Sequence, residues 1–77
     1  MSDIYEQRSF DILSEELFEY TVFTSGMAEV KVFDSMTGDL IWGAETKHNW
    51  GIDLALSWCL GQMSSRYEGW FELPLKN

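Results

Sequence analysis

Cys59 and His48 are the sole cysteine and the sole histidine of the chain, and a thiol nucleophile with a histidine base would have to be built from them. A catalytic thiol needs a basic or cationic group beside its sulfur to hold the thiolate. Cys59 falls instead in an apolar series, Ile52, Leu56, Cys59, Leu60 and Met63, that fits one face of a helix. A thiol on such a face is a small core residue. If the chain between them is helical, His48 is roughly 16 Å away, at a rise of about 1.5 Å per residue. One cysteine and one histidine are also too few for a zinc site. The loop Asp34-Ser35-Met36-Thr37-Gly38-Asp39 offers two carboxylates but lacks the closing Glu of a calcium loop, and it reads as a turn. Glu15 and Glu16 have the chemistry of an acid–base pair but the spacing of a solvated helical face. No phosphate-cradling glycine motif is present. The sequence thus predicts a protein that is not an enzyme and holds neither metal nor cofactor.

The elements that would position these side chains follow from periodicity. In residues 9–19, Phe10, Leu13 and Leu17 fall at helical spacing behind Ser9 as a cap, with Asp11, Glu15, Glu16 and Glu19 mostly elsewhere on the surface. A strand over residues 3–12 is the competing reading. Residues 19–24 are rich in β-branched and aromatic types and read as a strand. After the Ser25-Gly26 turn signal, Ala28, Val30 and Val32 alternate onto one face of a second strand. Gly38 suits the positive φ of the next turn, and residues 40–44 form a third strand. The stretch from Val32 to Trp42 resembles the hairpin of a quinoprotein-type propeller blade, a single copy that implies a hairpin and no function. Asn49 is placed to cap a helix from about Trp50 to Ser65, with Asp53 in its first turn and Arg66 near its end, both favourable to the helix dipole. Residues 67–73 alternate as a last strand that Pro74 ends, at an edge position. The predicted fold is α+β in the order α-β-β-β-α-β: a short N-terminal helix, a three-stranded antiparallel meander, one long helix packed on the sheet and a C-terminal edge strand, all in a single domain spanning residues 1–77. The ββα core shares its element order with double-stranded-RNA-binding domains, but the lysines those domains carry at the helix start are absent.

Composition narrows the function classes. Four Trp, five Phe and three Tyr among 77 residues rule out a disordered chain. No apolar run approaches the roughly 18 residues of a membrane span, and the N-terminus lacks the basic and apolar regions of a signal peptide. A lone cysteine cannot staple the domain. These features imply a cytoplasmic protein. The net charge of −8 repels nucleic-acid phosphates and anionic membranes and attracts basic proteins.

In size, acidity, aromatic richness and ββ(β)α order, with no specific motif, the chain resembles small acidic phage-encoded anti-CRISPR and anti-restriction inhibitor proteins. That resemblance implies carboxylates that imitate phosphates and block the basic nucleic-acid-binding surface of a host protein or nucleoprotein complex, with no direct nucleic-acid or membrane binding. The candidate partner-binding residues are Asp11, Glu15, Glu16 and Glu19 on the first helix and Glu68, Trp70 and Glu72 on the outward face of the last strand, where Trp70 would be a hot spot. An immunity protein or antitoxin against a basic toxin, or a non-enzymatic regulatory subunit, is the alternative. The long helix carries a wider apolar stripe than one sheet needs. Either the N-terminal segment covers Trp50, Leu54 and Trp58, or two copies associate there, so the chain is expected as a monomer or a homodimer.

Overall fold

The computed structural model describes residues 3–67. Four strands, β1 (Ile4–Ile12), β2 (Glu16–Phe23), β3 (Ala28–Asp34) and β4 (Leu40–Glu45), form one antiparallel sheet in the order β1-β2-β3-β4. The helix α1 (Ile52–Arg66) packs across β2 and β3 on one face.

The predicted N-terminal helix is not formed. Residues 9–19 are instead the end of β1, a tight turn and the start of β2. Once a turn is inserted after Ile12, the same apolar residues alternate with period two: Phe10 and Ile12 on β1, then Phe18, Tyr20 and Val22 on β2, all toward α1. The Glu15 amide donates to the Ile12 carbonyl (3.0 Å), and the two central residues, Leu13 and Ser14, both take positive φ (55° and 60°). That is the φ pattern of a type I′ hairpin turn, whose usual signature is Asn-Gly or Asp-Gly. Tertiary burial has overridden the turn's poor local sequence. The competing strand reading over residues 3–12 is the one that matches β1. Of the predicted C-terminal edge strand only Tyr67 is described, and it closes α1; the rest lies outside the described residues.

The other elements stand close to their predicted bounds. At the β3–β4 turn, Asp34 Oδ1 accepts from the amides of Met36 (2.8 Å) and Thr37 (3.2 Å), and Gly38 takes φ 81°. Helix α1 begins two residues later than expected. Its N-cap is Gly51 at φ 104°, with no side-chain cap bond, so Asn49 does not cap it. Gly26 and Gly51 meet there: the Trp50 amide donates to the Gly26 carbonyl (3.1 Å), and a Cβ on Gly26 would lie 2.6 Å from the Gly51 nitrogen. Thr46 is buried, and its hydroxyl accepts from the Ala28 amide (3.0 Å), tying the chain after β4 back to β3.

The core lies between the inner sheet face and α1. Phe18, Tyr20, Val22, Ala28, Val30 and Val32 are buried against Ala55, Cys59 and Met63, spaced four apart on α1. Of the predicted stripe, Cys59 and Met63 are buried, whereas Ile52, Leu56 and Leu60 are only partly buried.

Candidate functional site

Residues paired across an antiparallel sheet share a face, so the register defines the face that α1 leaves open. One row across the strands is Asp11, Leu17, Phe33 and Leu40. The next is Ser9, Glu19, Lys31 and Gly43, and the third is Gln7, Thr21, Glu29 and Glu45. These rows place four carboxylates, Asp11, Glu19, Glu29 and Glu45, against one cation, Lys31. Among the described residues no helix or strand packs on this outer face, since α1 contacts the sheet from the Phe18–Val22 side.

The outer face is not flat. At one end a groove of about 550 Å³ is lined by Asp11, Leu17, Glu19, Phe33, Asp34, Ser35 and Gly38. At the other, a groove of about 310 Å³ has Phe23 and Met27 in its wall beside Asp3, Glu29 and Glu45. The Lys31 ammonium lies 3.7 Å from a Glu29 oxygen, on its own strand, although Glu19 is its partner across β2 and β3. Asp11, Glu19 and Glu45 make no side-chain hydrogen bond or ion pair among the described residues. Glu29 and Glu45 are direct cross-strand partners, a like-charge pairing that costs stability.

The structure separates the acidic residues that the predicted first helix held together. Asp11 and Glu19 lie diagonally on the outer face. Glu15 is exposed in the β1–β2 turn, where its carbonyl accepts from the Ser35 amide (3.0 Å). Glu16 points to the helix side and is fully engaged. Its Oε1 accepts from the Tyr67 hydroxyl (2.7 Å) and Arg66 Nε (3.3 Å), and its Oε2 from Arg66 Nη2 (3.3 Å). The Tyr67 hydroxyl, and after it Arg66, hold the Glu16 carboxyl below its ordinary range. A carboxylate so neutralised is a structural clamp and a poor imitation of a phosphate. Glu68, Trp70 and Glu72 lie outside the described residues.

Trp50, Leu54 and Trp58 do come together. The two indoles meet edge to face at 6.5 Å, and Leu54 is 61% exposed beside them. The described N-terminal segment is β1, the edge strand beside β2, and Trp50 and Leu54 stay exposed.

Cys59 is fully buried, and burial, with Glu6 adding to it, pushes its thiol up to about 11. His48 is exposed in the loop before α1. No cluster of three or more metal-ligating side chains exists among the described residues. None of their helices is long and apolar enough to cross a membrane.

Sequence reasoning missed Leu17, Glu29, Lys31, Phe33, Leu40 and Glu45 as surface-forming residues. For β3 the signal was present: placing Ala28, Val30 and Val32 inside puts Glu29, Lys31 and Phe33 outside. Leu17 was hidden by its helical spacing to Phe10 and Leu13.

Comparison of the chain with protein-family models, with curated proteins and with solved structures finds no match.

Proposed function

We propose that this chain is a non-enzymatic protein-binding domain that lays the outer face of its sheet on a basic surface of another protein, inhibiting that protein by occupying the place of nucleic acid. One observation carries the reading: four carboxylates against a single lysine on a sheet face with no described element over it. The site differs from the one expected in sequence. Asp11 and Glu19 stay in it, Glu29 and Glu45 join it, and Glu16 leaves it. Carboxylates on a rigid sheet attract a basic partner over a distance set by screening, about 8 Å at physiological ionic strength, and accelerate encounter.

The test is competition. A panel of basic nucleic-acid-binding domains, each loaded with a labelled oligonucleotide, is titrated with the protein and with the variant Asp11→Asn/Glu19→Gln/Glu29→Gln/Glu45→Gln. The expected result is displacement from at least one domain, weakening steeply as salt rises and lost in the variant. Displacement that the variant retains in full would remove the outer face from the mechanism. An immunity protein against a single basic toxin would use the same electrostatics. That second reading is favoured if displacement is confined to one nuclease and abolishes its cleavage.

A further inference from the structure

We propose that the groove over Leu17 and Phe33 is the seat of an arginine side chain, so that the basic partner docks through arginine and not through lysine. This inference rests on the docking face proposed above and adds the chemistry of the anchor. Leu17 and Phe33 are direct cross-strand partners and give the groove an apolar floor that includes an aromatic ring. Asp11, opposite Leu17 on β1, and Glu19, next on the same face of β2, line it with carboxylates that have no partner among the described residues. Asp34 closes one end, but its Oδ1 is already taken by the Met36 and Thr37 amides. The open acceptors are therefore those of Asp11 and Glu19, with the second oxygen of Asp34 at the end of the groove. Lys31, the one cation on the face among the described residues, does not fill the place, because its ammonium is turned to Glu29.

The same protein shows what such a set of groups binds. On the other side of the sheet, Arg66 lies 5.7 Å from the ring centres of both Trp42 and Tyr67 and forks onto the two oxygens of Glu16. Aromatic surface, a carboxylate and a guanidinium form one closed unit there. The groove repeats the aromatic and carboxylate parts and lacks the cation. A guanidinium is planar, weakly hydrated and able to stack on a ring while donating sideways to carboxylates; a compact, strongly hydrated ammonium suits the floor less well.

The experiment compares a blocked Arg-Ser repeat peptide with the Lys-Ser peptide of equal length, titrated into the full chain at low salt. The arginine peptide is expected to bind about two- to five-fold more tightly, the range of an exposed cation–π contact. Phe33→Leu keeps the floor apolar and should erase that preference while leaving charge-driven binding; thermal melting confirms that the variant is folded. Asp11→Asn/Glu19→Gln should weaken both peptides. Equal binding of the two peptides, or a preference that survives Phe33→Leu, overturns the arginine seat and leaves the docking face standing. If neither peptide binds, the docking face itself falls, and the seat with it.

Discussion

Gly26→Ala tests whether the meeting of two backbones positions the helix. Gly26 takes φ 95°, and a Cβ there would lie 2.6 Å from the nitrogen and 2.9 Å from the Cα of Gly51. Both are backbone atoms, so no side chain can swing aside to relieve the clash. The left-handed conformation alone costs a non-glycine residue roughly 1–2 kcal/mol. Relief requires Gly51 to retreat, which breaks the bond from the Trp50 amide to the Gly26 carbonyl at 3.1 Å and costs about 1 kcal/mol more. The total is about 2–3 kcal/mol, against a stability of roughly 4–12 kcal/mol for a domain of this size. Gly51→Ala supplies the control. Gly51 also has a glycine-only conformation (φ 104°, ψ 159°), but a Cβ there meets nothing within 4 Å. It carries backbone strain without the clash, about 1–3 kcal/mol. Urea unfolding followed by tryptophan fluorescence measures both variants. Gly26→Ala should be the more destabilised, and its native fluorescence should change as Trp50 shifts relative to Trp58, its edge-to-face partner. If Gly26→Ala is no more destabilised than Gly51→Ala, the close approach is not what holds the start of α1.

Other predictions test other parts of the fold. Leu13→Asn/Ser14→Gly places residues tolerant of positive φ in the β1–β2 turn and gives up little burial, since Leu13 is 69% exposed; it should stabilise by about 1 kcal/mol, and a lowered melting temperature would contradict the turn assignment. Because the Tyr67 hydroxyl and Arg66 depress the Glu16 pKa in the folded state, the clamp's stability is present above the ordinary carboxylate range and is lost as pH falls through the folded value. Glu16→Gln should therefore flatten the acid limb of the stability–pH profile, and an unchanged limb would refute the clamp. Burial, then the bond to Glu16, raises Tyr67 to about 12, and burial, then the bond to Glu6, does the same for Tyr20. Their contributions are present below pH 10 and lost as pH rises toward 12, so a spectrophotometric titration of the native protein should find two tyrosines ionising only near unfolding. Cys59, buried and pushed up to about 11, should react with an aromatic disulfide reagent only on unfolding; fast labelling of the native protein would contradict its burial.

Legibility in the sequence differs between the two ends of the described chain. Strands β2 to β4 and α1 were readable because their inward residues are β-branched, aromatic or regularly spaced and their turns hold Gly26 and Gly38. The N-terminal hairpin was not. Phe10, Leu13 and Leu17 fit a helical period by coincidence, and the true break falls on Leu13-Ser14, which carries no turn signature. That one error displaced the candidate site: on a helix Glu15 and Glu16 accompany Asp11 and Glu19, whereas on a hairpin they sit in a turn and in an ion pair. The cap of α1 was misread for a related reason. Asn49 has the right chemistry, but Gly51 provides the conformation that lets the chain pass against Gly26.

The inner face explains why the outer one can serve as a docking surface. A one-residue slip of β3 against β2 would turn Val30 and Val32 outward and bury Glu29 and Lys31 under α1. Burial therefore pins the register, and with it the spacing of Asp11, Glu19, Glu29 and Glu45. The unfavourable opposition of Glu29 and Glu45 cannot relax by sliding, and among the described residues only Lys31 offsets it locally. The ladder fixes the backbone that carries the carboxylates before a partner arrives, so the ordering cost of binding is confined to their side chains. Strength of association then depends on how well the partner's cations match spacings that the hydrophobic core has already imposed. That dependence is why Glu16, held by Arg66 and Tyr67, belongs to the fold, whereas Asp11 and Glu19, on the opposite face of the sheet, remain open to a ligand.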